Sequence, residues 1–106
     1  MSSFADRERE FEARFRHDQE FQFKAKARRN RLLGMWAAER LGLLGEAAER
    51  YCERVVDAQF DPGGDKAVIA KVAADLGARD PTITAARVAF ELEHFAADAK
   101  HQLMRE

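Results

Sequence analysis

No proline interrupts the chain before Pro62, and the stretch ahead of Gly42 holds a single glycine, Gly34. That stretch is filled with Ala, Glu, Arg, Gln and Leu, residues that lose little on entering a helix. The pattern predicts one helical stretch from about Ser3 to Leu41, with Gly42 ending it. As a single helix it would be roughly 57 Å long at 1.5 Å per residue. A small domain is narrower than that, so part of the helix must project from the fold or be disordered.

The remaining breakers divide the rest of the 106 residues into three shorter helical stretches. The second runs from about Glu46 to Gln59, with Ala48, Tyr51, Cys52, Val55 and Val56 at three- and four-residue spacing and Phe60 flanking them. No Ser, Thr, Asp or Asn lies between Arg40 and Glu46, so its first turn is expected to fray for want of a cap. Asp61-Pro62-Gly63-Gly64-Asp65 is a strong turn, with Asp65 placed to cap a third helix over 65–76. Val68, Ile69, Val72, Ala73 and Leu76 form its apolar face, and Gly77 is expected to stop it before Asp80-Pro81. The fourth helix spans about 85–104, with Thr84 as its N-cap and Ile83 and Val88 as a hydrophobic staple. Its core stripe is Ala85, Val88, Leu92, Phe95, Ala99 and Leu103. Val, Ile and Thr never alternate over a strand length, so the fold class is all-α. A compact four-helix, bundle-like domain over 21–106 follows, its first helix being about 21–41.

The first stretch behaves as two halves. Phe4, Phe11 and Phe15 fall within about 40° of one another at the helical repeat. Charged residues fill the space between, with Glu10–Arg14 and Glu12–Arg16 as i,i+4 pairs. Ser3 followed by Asp6 resembles a capping pair. Three large apolar groups offset little of an ordering entropy of about 1–2 kcal/mol per residue. The second half differs: Ala25, Leu32, Leu33, Trp36, Ala37 and Leu41 give it a broad apolar face. Residues 1–20 are therefore expected to be a mobile amphipathic arm that folds on a partner.

Little points to catalysis. Glu91 with His94, and Asp98 with His101, have the i,i+3 spacing of di-iron helices, but both pairs lie on one helix and surface positions are the expectation. Cys52 has no His or basic neighbour in sequence, so a small buried thiol is expected, and a lone cysteine fits a reducing compartment. Gly63-Gly64 lacks the spacing and Lys of a phosphate loop. No enzyme, cofactor or metal site is expected. No apolar run approaches the roughly 20 residues of a membrane span, and no export signal is visible, so a soluble cytoplasmic protein is expected. Between the halves lies a basic run, Lys24 to Arg31, in which Lys24, Arg28 and Arg31 share one face while Lys26 and Arg29 point elsewhere. A small nucleotide- or nucleic-acid-binding regulator using this run is the alternative reading. The net charge of −1 disfavours nucleic acid. A scaffold dimerising through the Phe-rich arm is a third.

The run Arg28-Arg29-Asn30-Arg31-Leu32-Leu33-Gly34-Met35-Trp36-Ala37-Ala38-Glu39-Arg40-Leu41-Gly42-Leu43 resembles the signature of the zeta subunit family, the ATPase inhibitor of alphaproteobacterial F-type ATP synthases. Phe4-Ala5-Asp6-Arg7-Glu8, Phe11-Glu12-Ala13-Arg14-Phe15 and Phe23-Lys24-Ala25 resemble the family's opening segment. Tyr51, Val55-Val56 and Lys71-Val72-Ala73-Ala74-Asp75-Leu76 extend the likeness. Family members often carry Ser or Thr near position 44, where this chain has Leu44. The resemblance implies a four-helix fold whose N-terminal segment enters the catalytic head between alpha and beta subunits and arrests ATP hydrolysis. Carried onto this chain, the segment is roughly Ser2 to Glu20, with Phe4, Arg7, Glu8, Phe11, Glu12 and Phe15 as contacts. Lys24, Arg28 and Arg31 are candidates for a secondary contact or weak nucleotide binding. The expected protein is a monomer when free, peripheral to the inner membrane when bound to the synthase, with no direct membrane insertion.

Overall fold

A computed structural model describes residues 3–106; Met1 and Ser2 lie outside the described residues. Among the described residues there are four α-helices, α1 (Phe4–Arg40), α2 (Gly45–Asp57), α3 (Asp65–Arg79) and α4 (Ala85–Met104), and a 3-10 turn, Ala58–Phe60, that closes α2. The fold class expected from sequence is observed. The molecule measures 63 × 27 × 20 Å, its long axis set by α1. The first stretch is thus one uninterrupted helix whose early half projects.

Local chemistry places most boundaries. Ser3 accepts from the Asp6 amide while the Asp6 carboxylate accepts from the Ser3 amide, a full capping box. At the other end Gly42 takes a left-handed φ of +73° beyond the Leu41 cap, a conformation that disfavours side chains. Leu44 precedes α2 without any side-chain cap, as expected. Thr84 caps α4 through its hydroxyl, which accepts from the Arg87 amide.

Four expectations are corrected. Asp65 is not the cap of α3 but its first residue. Gly64, at φ +54°, occupies the cap position, and the Asp65 carboxylate turns to Arg29 and Gln59 instead. Gly77 does not stop α3, which runs on to Arg79. The stop comes at Asp80, extended because Pro81 follows it. Ala85 is exposed and outside the α4 stripe, since the first turn of that helix overhangs the core. Phe60 is 69% exposed, because the 3-10 turn carries it off the α2 stripe.

The core joins Leu33, Ala37 and Ala38 of α1 to Tyr51 and Val55 of α2, Val68, Val72 and Leu76 of α3, and Val88 and Leu92 of α4. Helix α1 packs chiefly against α2 and α4. Its close approach to α2 depends on Gly34: a Cβ there would sit 2.9 Å from the Cys52 Cα, too near for two backbones. Trp36 of α1 is flanked by the guanidinium groups of Arg40 and Arg87, at 4.3 and 5.8 Å from its ring. Cys52 is a buried thiol, and burial pushes its pKa up. Tyr51 is raised by burial and by the hydrogen bond it donates to Asp75, which also receives Lys71.

A polar knot fastens the lower half of α1. Arg29 and Asn30 are both buried. Arg29 donates to Asp65 at 2.8 and 3.3 Å, to Gln59 at 2.9 Å and to Asn30 at 3.0 Å, and the Asn30 amide donates to Gln59. Buried polar groups are tolerated when partnered in this way. The Arg29 guanidinium holds the Asp65 carboxyl below its usual range, with Gln59 assisting.

Candidate functional site

Every described residue from Ser3 to Glu20 is exposed, while Phe21 is half-buried and Ala25 buried. The six arm residues singled out from the sequence all lie in this projecting part. Phe4, Phe11 and Phe15 are 76%, 71% and 56% exposed. Arg7, Glu8 and Glu12 are exposed beside them. The ion pair closed within the arm joins Arg9 to Asp6 at 3.5 Å, in solvent, and it contributes little.

The phase of the three rings is informative because α1 is continuous. Phe11 stands about five helical turns before Arg29, and Phe15 about five turns before Leu33. A shift of five whole turns returns a residue to the same side of the helix. Arg29 and Leu33 are buried on the domain side. The phenylalanine stripe therefore continues the core-facing side of α1 into a region where none of the described residues covers it. An apolar stripe on a soluble helix needs a partner surface.

At the root of the arm the basic run divides as its helical spacing requires. Lys24, Arg28 and Arg31 line one open groove of about 680 Å³ between α1, α2 and the end of α4. Arg28 donates to Gln102 at 3.0 Å and to Glu106 at 2.6 Å. Arg31 makes a two-pronged contact with Glu49, which raises its pKa. Glu53, Asp57 and Glu106 share the groove wall, so its three cations face three carboxylates. A nucleotide has the right size for this groove, but its phosphates would meet balanced charge and guanidinium groups already engaged. His94 lies 3.5 Å from Asp98, and Glu91 accepts from Arg87, so the Glu91–His94 spacing does not converge on a shared ligand.

One feature escapes pattern reading. Phe23 and Phe60 meet as tilted rings with centroids 6.2 Å apart beside the root of the arm and are 60% and 69% exposed. At the helical repeat Phe23 falls well away from the Phe4–Phe11–Phe15 stripe, and that offset is the available signal. Its partner, in the 3-10 turn after α2, needs the fold to be found.

No curated protein and no solved structure matches the chain. Among the described residues no helix is long and apolar enough to cross a membrane. A family match does exist, to ATPase inhibitor subunit zeta, and it spans residues 1–102. Coverage of nearly the whole sequence, arm and bundle together, shows that the chain belongs to the ATPase inhibitor subunit zeta family.

Proposed function

We propose that this chain inhibits ATP hydrolysis by an F-type ATP synthase, without catalytic chemistry of its own, by inserting residues 1–20 at a catalytic interface between alpha and beta subunits. Family membership supports the inhibitory role. One observation supports the arm as its instrument: a stripe of exposed phenylalanines in phase with a core face, on the projecting part of α1 that no other described helix covers.

Insertion would bury Phe4, Phe11 and Phe15 and pair Arg7, Glu8 and Glu12 with the walls of the cleft. Each large ring removed from water contributes about 1.5–3 kcal/mol, so the three rings offset a minor part of the cost of ordering the arm and its polar contacts with the cleft supply the rest. An interface held by the arm cannot complete its cycle, and rotation couples the catalytic sites, so one trapped interface silences all of them. The bundle holds the arm at the entrance, with Lys24, Arg28 and Arg31 as the secondary contact. Lys24 is the cation of the three that the fold leaves without a carboxylate partner among the described residues.

The test is direct. Purified full-length protein added to the matching ATPase abolishes hydrolysis, and the same protein lacking its first twenty residues does not. Full-length protein that leaves hydrolysis untouched ends the proposal. A shortened protein that still inhibits fully moves the site off the arm.

A further inference from the structure

Going along α1 from its projecting end, Arg28 is the first residue among those described whose side chain hydrogen-bonds to another element. Its two acceptors, Gln102 and Glu106, lie at and just beyond the end of α4. Leu103, between them, shares a cleft with Phe21 and Lys24 of α1. Arg105 closes α4 with backbone bonds alone. The end of α4 is therefore tied by one guanidinium to the place where the projecting half of α1 meets the bundle.

A projecting helix opens from its free end inward until a tertiary contact resists. For α1 the first contacts are the half-buried Phe21, the Phe23–Phe60 ring pair, the buried Ala25 and the Arg28 bonds, of which Arg28 alone is fixed by hydrogen bonds to another element. We infer that Arg28 and the last turn of α4 form a latch that fixes where the arm begins, so that Gln102 and Glu106 are positioning residues for the inhibitory segment. The inference rests on the arm being that segment. Residues kept helical beforehand need not be ordered when the partner binds, so a tighter latch gives a more potent inhibitor.

The experiment uses the full chain carrying Gln102→Ala and Glu106→Ala together, changes at the surface that leave the core intact. Amides over residues 14–24 exchange roughly fivefold to tenfold faster, the scale of one exposed ion pair and one hydrogen bond, while those of Leu33, Val55 and Val72 keep their protection. The concentration for half-inhibition of the ATPase rises severalfold, and full inhibition is still reached at saturation. Glu46→Ala, which removes a more exposed pair with Arg50 on α2, moves neither readout. Unchanged exchange over 14–24 overturns the latch. Faster exchange with an unchanged half-inhibition concentration overturns its link to potency. Wild-type protein that fails to inhibit sinks the inhibitor proposal alone, since exchange still decides whether the latch exists.

Discussion

The two halves of α1 are one helix with one handedness and one phase, yet they live in different surroundings. Leu33 is fully buried, whereas Phe15, on the same side about five turns earlier, is 56% exposed. The lower half is covered by three other helices and stitched by the Arg29 knot. Among the described residues the upper half has a capping box, one solvent-exposed ion pair and no helix packed over its phenylalanines. Stability therefore belongs to the lower half, and the proposed function assigns recognition to the upper. The comparison makes separable predictions, because a change in one half should leave the property of the other nearly untouched.

The largest effect is expected in the core. Leu33→Ala removes a fully buried side chain and should lower unfolding free energy by about 3 kcal/mol, read by chemical denaturation, with inhibition unchanged well below the melting temperature. Phe11→Glu is the mirror experiment. It should weaken inhibition by roughly 30- to 100-fold, the value of one buried ring with a charge put in its place, and shift the melting temperature by no more than about 1 °C. A large loss of stability from Phe11→Glu would mean that the arm packs on the bundle in solution, and the contrast between the halves would collapse.

The Arg29 knot gives a smaller, pH-dependent effect. Asp65→Asn leaves buried Arg29 short of a charged partner and should cost about 2 kcal/mol near neutrality. The Asp65 pKa is lowered on folding, so its contribution is present above the ordinary value of 3.8 and is lost as pH falls through the depressed one. Denaturation midpoints of wild type and variant should converge below about pH 4, and a gap that persists at lower pH would locate the stabilisation elsewhere. The smallest effect concerns the arm alone. Ser3→Ala breaks the capping box and should remove about 1 kcal/mol of local helix stability, visible as a modest fall in far-ultraviolet ellipticity with an unchanged melting temperature.

Much of this architecture is legible in the amino-acid sequence. Breaker spacing and helical periodicity place four helices, the caps Ser3 and Thr84, the core positions Leu33, Val55, Val72, Val88 and Leu92, and the division of the basic run by face. What escapes has a physical reason in each case. Asp65 looks like a cap because short acidic residues after a turn usually are, but an arginine thirty-six positions away competes for the same carboxylate. Gly77 looks like a stop, yet Pro81 makes the real one at Asp80. Gly34 sits in the recognisable signature without explaining itself, since only the crossing of α1 and α2 shows why no Cβ fits there. The exposed Phe23–Phe60 ring pair joins residues distant in sequence, and periodicity within one helix carries no information about such pairs. For the candidate site, pattern locates the arm but not the fact that its stripe is a continuation of the core face.

That continuity has an architectural consequence. Had α2, α3 and α4 run the full length of α1, the rings of Phe4, Phe11 and Phe15 would have been interior packing, and the result an inert rod. Because the companions fall short, the molecule resembles a bundle left unfinished at one end. Under the proposed function a foreign surface completes it, in the same way that a missing strand is supplied to an incomplete sheet.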